Sequence, residues 1–150
     1  EPIEPLAYVC LQQKHVQQVH ELLTTAFWPG IDITASLANP KKYTVVATYK
    51  LLVVGVALIS PPPDDAYITY IAVKTGWENS GIGLTMLYHL IKSNDTRDIT
   101  LHVSANSDAM LLYNKIGFKS EGFVVGFYQD YLHPKSQACR NALRLRLRQS

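Results

Sequence analysis

Apolar positions change their spacing repeatedly along this 150-residue chain, and each change predicts an element. Residues 6–11, LAYVCL, are a short run of strand formers. The next segment, HVQQVHELLTTAFW, sets Val16, Val19, Leu23 and Phe27 at helical spacing, so one face of a helix is apolar. In the following PGIDITASLANP, Asp32 or Thr34 can cap a short helix that stops before Pro40. YTVVAT and LLVVGVALIS flank Tyr49-Lys50 and predict an antiparallel hairpin. PPPDD, residues 61–65, breaks the pattern, because proline fits neither a helix interior nor a central strand. AYITYIAVK then alternates as a strand, and the run after Gly81 predicts a helix to about Ser93. DITLHVSA reads as a strand and NSDAMLLYNKIGF as a helix ended by Gly117. Residues 118–128 and 142–148 read as two last strands, with a long proline-containing loop between them.

The order is therefore strand, two helices, three strands, helix, strand, helix, two strands. Such a chain, of the α/β (α+β) class, buries its faces as a mixed sheet with helices on both sides. The strand–helix–strand unit over 66–104 is expected to be a right-handed parallel crossover.

Composition narrows the field. The residues are 47% apolar and 17% charged, an ordinary globular balance, and the length suits one domain over 1–150. A net charge of +2 lacks the basic excess of a nucleic-acid binder. The arginines of LRLRLRQS alternate at period 2, which predicts a strand with one charged face in place of a basic tail. No apolar run is long enough for a membrane span, and no signal-peptide pattern opens the chain. It begins without methionine, and the expectation is a domain cut from a longer protein. Cys10 and Cys139 show no CxxC spacing, and HExxH is absent, so no metal is expected. The two thiols are expected to be reduced and structural.

Candidate chemistry concentrates at ENSGIGLTML, residues 78–87. A helix N-terminus leaves backbone N–H groups unpartnered and carries partial positive charge. Gly81 and Gly83 remove side chains that would keep an anion from those groups. The stretch is either a plain strand-to-helix turn or a phosphate cradle. It is no Walker loop, since no Gly-Lys-Ser/Thr follows, and Met86 stands where a dinucleotide fingerprint needs a third glycine. A diphosphate held mainly by backbone points to a bound carrier molecule.

VKTGWENSGIGLTML resembles the acyl-CoA loop of the GNAT acetyltransferase superfamily, with Glu78 at its usual Gln/Arg position and Asn79 at a frequent glycine. LHVSANSDAMLLYNKIGF resembles its second motif. The resemblance implies the GNAT acyl-CoA N-acyltransferase fold, a mostly antiparallel seven-stranded sheet with a splayed parallel strand pair. It implies acetyl-CoA as cofactor, its diphosphate held by Asn79, Ser80, Gly81, Ile82, Gly83 and Leu84. By the same resemblance Asn106 lies along the pantetheine arm, and Tyr113 lies near the thioester sulfur as the acid for the thiolate. An amide at Ile71 or Val73 would polarise the thioester carbonyl. The segment AMLLYNKIGFKSEGFVVGFYQDY and the LRLRLR ending resemble an acetyltransferase domain of a chromatin complex. That implies a nuclear setting, histone-tail lysines as acceptors and complex subunits as partners, with no direct nucleic-acid or membrane contact.

An amine is protonated at neutral pH and must lose a proton before it attacks a thioester. Several histone-modifying relatives use a strand glutamate, and by spacing back from Val73 that position is Tyr67. His102 with Tyr67 resembles instead the Tyr and His that position a water in some protein N-terminal acetyltransferases, and imidazole titrates near neutrality. From the residues alone, a satisfied core histidine and core tyrosines at 67 and 113 are the other readings. Asp64 and Asp65 are a rival base or a solvated turn. Phe127, Tyr128 and Tyr131, beside Asp130 and His133, either cradle a lysine stem or form an ordinary strand edge. The acceptor groove is expected between the 29–38 helix and the loop after residue 128.

Overall fold

One sheet of seven strands organises the computed structural model. It describes residues 6–27, 29–31, 33, 37, 39–60, 66–78, 80–104, 109–124 and 142–149. In chain order the elements are β1 (Ala7–Val9), a 3-10 turn (Gln13–His15), α1 (Val16–Ala26), α2 (Pro40–Tyr43), β2 (Thr44–Tyr49) and β3 (Leu52–Ile59). They continue with β4 (Ala66–Val73), α3 (Ile82–Ser93), β5 (Ile99–Ser104), α4 (Ala109–Ile116), β6 (Lys119–Val124) and β7 (Ala142–Leu147). The strand order is β1-β2-β3-β4-β5-β7-β6. Among the described strands only β4 and β5 run parallel; the other neighbours are antiparallel. The expected mixed sheet is present, and the 66–104 unit is a parallel crossover.

Helices cover both faces because β3 is apolar on both. Val56 and Leu58 join Val19 and Leu23 of α1 in one cluster. Ala57 and Ile59 join Ile82, Met86, Leu87 and Leu90 of α3 in the other, which also takes Tyr113 of α4. A strand buried on both sides loses its polar alternation and reads as the continuous run LVVGVALI.

The element order needs two corrections. A helical turn that the sequence did not predict begins at Pro40, where the earlier short helix was expected to have stopped, with proline in its first turn. Proline suits that position because its missing N–H has no intrahelical partner in any case. Residues 32, 34–36 and 38 of the expected helix lie outside the described residues. The second correction concerns β4, whose alternation is broken. Leu58 faces Tyr70 while Ile59 faces Ile68, so Thr69 is an extra, bulged residue. Ala66 and Ile68 belong to the α3 side; beyond the bulge, Ile71 and Val73 pack there, while Tyr70 and Ala72 turn to the α1 side. A bulge bends its strand and increases local twist.

The bend matters at the β4–β5 seam. Among the described residues these strands pair only at Ala66↔Ile99 and Tyr67↔Thr100. Beyond that point β4 continues against β3 as far as Val73, and β5 continues against β7 as far as Ser104. The strands part right after Tyr67, where the bulge begins.

Candidate active site

The open seam is lined by backbone. Lys74 N–H donates to Val54 O at 2.8 Å, so that amide points to β3. Amides alternate in direction along a strand. Those of Tyr70 and Ala72 therefore face β3 as well. The amides of Ile71 and Val73 face the opposite way, towards the side from which β5 has parted. An oxygen placed there would meet donors already fixed by the sheet, which suits a developing oxyanion.

Next to the seam, the chain turns into α3. Trp77 packs on Tyr49, ring centroids 5.5 Å apart, and its N–H donates to Lys74 O at 2.9 Å. Ser80 Oγ donates to Trp77 O. Glu78 Oε1 accepts from Gly76 N–H at 2.7 Å, so the carboxylate folds back onto its own turn. Its charge is thereby engaged before the helix starts. Gly81 caps α3 at φ +82°, in the left-handed region, with no side-chain cap on the first amides. A Cβ on Gly81 would meet nothing within 4 Å, and one on Gly83 would touch only Val73 Cγ2 at 3.7 Å. Packing does not demand these glycines. They leave a bare cradle over the first turn of a twelve-residue helix, a fit for a diphosphate. Ser80, Ile82 and Leu84 flank it, and Asn79 lies outside the described residues.

Tyr67 and His102 meet at the root of the seam. Tyr67 OH and His102 Nδ1 are 2.8 Å apart, and the rings stand edge to face with centroids 5.3 Å apart. Both side chains are half-buried. Ala66, Ile68, Ile99, Leu101 and Val103 all enter the α3-side cluster, so Tyr67 and His102, which alternate with them, project from the other face. Burial, and then the positive charge of Arg144, hold His102 below the ordinary imidazole value of 6.5. The ring is neutral at physiological pH and able to accept a proton.

Tyr113 sits elsewhere in the layer arrangement. It is 7% exposed, belongs to the α3-side cluster and stands edge-on to Phe118 at 5.7 Å. The carbonyl of Tyr113 accepts from Gly117 N–H at 3.2 Å and Phe118 N–H at 3.0 Å, closing α4. Asn106, Phe127, Tyr128 and Tyr131 lie outside the described residues, as do Asp64, Asp65, Asp130, His133 and Cys139. Cys10 carries a free thiol. Among the described residues no His, Cys, Asp and Glu cluster fits a metal, and no helix is long and apolar enough to cross a membrane. Sequence reasoning missed Arg144 as a neighbour of His102. The alternation of LRLRLR placed the arginines on one face but not in register with β5.

A glycine-bared helix start beside a splayed parallel pair defines the class of the molecule. A model of the acetyltransferase (GNAT) domain matches residues 11–126, and the chain belongs to that family. Human cysteine-rich protein 2-binding protein is 39% identical over 150 residues, which are 99% of this chain and 19% of that protein. The chain thus spans under a fifth of the length of that relative. Among solved structures, Arabidopsis thaliana Naa50 with the bisubstrate analogue CoA-Ac-MVNAL superposes with a TM-score of 0.81 at 22% identity, covering 95% of this chain and 98% of that one. The ribosomal-protein-S18-alanine N-acetyltransferase of Escherichia coli gives 0.79 at 22% identity, covering 97% and 95%.

Proposed function

We propose that this domain is an acetyl-CoA-dependent N-acetyltransferase that modifies a protein amine, with a histone lysine as acceptor. The observation that carries the reading is the Tyr67–His102 contact at the point where β4 and β5 part. Bound there, acetyl-CoA supplies the acetyl thioester. The bare first turn of α3 holds its diphosphate, and the amides of Ile71 and Val73 receive the carbonyl oxygen. With Nδ1–H given to the Tyr67 oxygen, His102 Nε2 keeps its lone pair and takes the proton of the amine, through a water. The C–N bond forms and the C–S bond breaks. Tyr113 donates its phenolic proton to the departing thiolate.

A protein acceptor is supported by the Naa50 likeness, whose bound analogue joins CoA to a peptide. Lysine of a histone tail, a nuclear setting and chromatin-complex subunits as partners rest on the resemblance of the C-terminal third. Phe127, Tyr128 and Tyr131 are the proposed cradle for the acceptor, and Asn106 the contact to the pantetheine arm.

Free thiol release from acetyl-CoA, measured with histone peptides, peptides offering free N-termini and polyamines, tests the proposal. Release with lysine-bearing histone peptides is expected. Release only with free α-amines would keep the chemistry and replace the acceptor. Polyamine turnover alone would mark a small-amine enzyme. Thermal stabilisation by CoA without release would mark a binding scaffold.

A further inference from the structure

The face of β5, β7 and β6 that carries His102 also carries an ion-pair ladder. Leu145 of β7 is buried in the α3-side cluster, so Arg144 and Arg146 project from the same face as His102. In the β5–β7 register Arg144 lies directly opposite His102. Directly opposed residues share a face, with Cβ atoms about 4.5–5.5 Å apart. On its other side Arg144 faces Gly122 of β6, which leaves room above the strand.

A second bulge fills that room. Lys119 faces Arg146, Ser120 faces Leu145 and Gly122 faces Arg144, so Glu121 is the extra residue. Unbroken pairing after Ser120 would set Glu121 directly opposite Arg144; the bulge gives that place to Gly122 and leaves Glu121 between the Arg146 and Arg144 positions, within reach of both. Glu121 Oε1 lies 2.8 Å from Arg144 Nε, off the hydrogen-bonding direction, and Oε2 accepts from Arg146 Nε at 2.8 Å. Asp98 closes the ladder against Arg146 at 3.4 Å. On this face Tyr67 of β4 bonds the imidazole, Arg144 of β7 lies opposite it, and Glu121 of β6 lies against Arg144.

We propose that Arg144 is a positioning residue for the transfer: clamped by Glu121, its guanidinium stands beside His102 and keeps the imidazole neutral and bonded to Tyr67. The inference rests on the reading of His102 as the proton acceptor. A fixed cation on one side and a hydroxyl on the other leave the ring one favoured charge state at neutral pH. Glu121 has the opposite influence, because it offsets part of the charge that Arg144 and Arg146 present. The two side chains therefore act on His102 with opposite signs.

Titration of the His102 imidazole by NMR in the intact protein tests this, with Arg144→Gln, Arg144→Lys and Glu121→Gln. The midpoint is expected to rise in R144Q, to stay near wild type in R144K and to fall in E121Q. The acid limb of kcat/KM against pH is expected to move the same way. An unmoved midpoint, or shifts of one sign in R144Q and E121Q, would overturn the proposal, since loss of a merely structural contact has no reason to split them. The NMR midpoint needs no turnover, so the two readings fail separately. Opposite shifts in a protein without transferase activity would remove His102 as the acceptor. Turnover that requires His102, with an unmoved midpoint, would remove Arg144 alone.

Discussion

The two halves of the sheet solve burial differently. Around β3 both faces are apolar, one under α1 and the other under α3. In β5 and β7 one face is apolar, with Ile99, Leu101, Val103 and Leu145 buried, while the other carries His102, Arg144 and Arg146. The first half can only pack. The second can keep titratable groups half-buried, where burial and fixed charge set their protonation. The halves meet at β4 and β5, and the bulge at Thr69 prevents one from continuing smoothly into the other. Reactive side chains and open backbone coincide at that mismatch.

The comparison breaks most visibly at His102. His102→Ala is expected to lower acetyl transfer about 10²–10⁴-fold, the usual weight of a general base, in a thiol-release assay. The packed half should respond in stability instead. Leu87 is fully buried, so Leu87→Ala is expected to cost about 2–5 kcal/mol in urea unfolding, transfer and cavity together. If Leu87→Ala cost nothing while His102→Ala unfolded the domain, the division of labour would be reversed.

Smaller effects sharpen the boundary. At φ +82°, Gly81→Ala meets no steric neighbour, so only backbone strain of about 1–2 kcal/mol is expected, with weaker CoA binding by calorimetry. The smallest effect is the pH dependence of stability. His15, whose Nδ1 accepts from Gln12 N–H at 3.1 Å, is held below 6.5 by burial and then by Lys14, and His102 by burial and then Arg144. With folded values depressed, the unfolded chain binds more protons below 6.5, so stability is expected to fall as pH drops through that value. Glu121 is lowered chiefly by its hydrogen bond from Arg146, so its contribution disappears only further down, below 4.5. Melting temperatures between pH 7.5 and 4 read both windows, and a rise on acidification would contradict them.

Much of this contrast was visible in the amino-acid order. LVVGVALI is unbroken because both sides are covered, and LRLRLR alternates because one side is wet. The strand–helix order and the two glycines were equally legible, since spacing and backbone freedom are local. Register was not. Nothing in AYITYIAVK announces that Thr69 is bulged, because the slip is set by pairing with β3. Likewise KSEGF does not show that Glu121 turns back between two arginines. The engagement of Glu78 by Gly76 N–H also escaped, as it depends on the turn's backbone path. The Tyr67–His102 pairing was legible only through resemblance, because parallel neighbours are joined by the fold across 35 residues.

The central claim is that the carrier's diphosphate lies on the first turn of α3 and its thioester at the β4–β5 seam. Titrating CoA into the labelled domain while following backbone amides tests this directly. The largest shifts are expected at Ile71, Val73 and the amides from Gly81 to Leu84, with a change at the His102 imidazole. Silence at those amides, or shifts confined to a separate cavity lined by Tyr8, Lys41 and His89, would contradict the account.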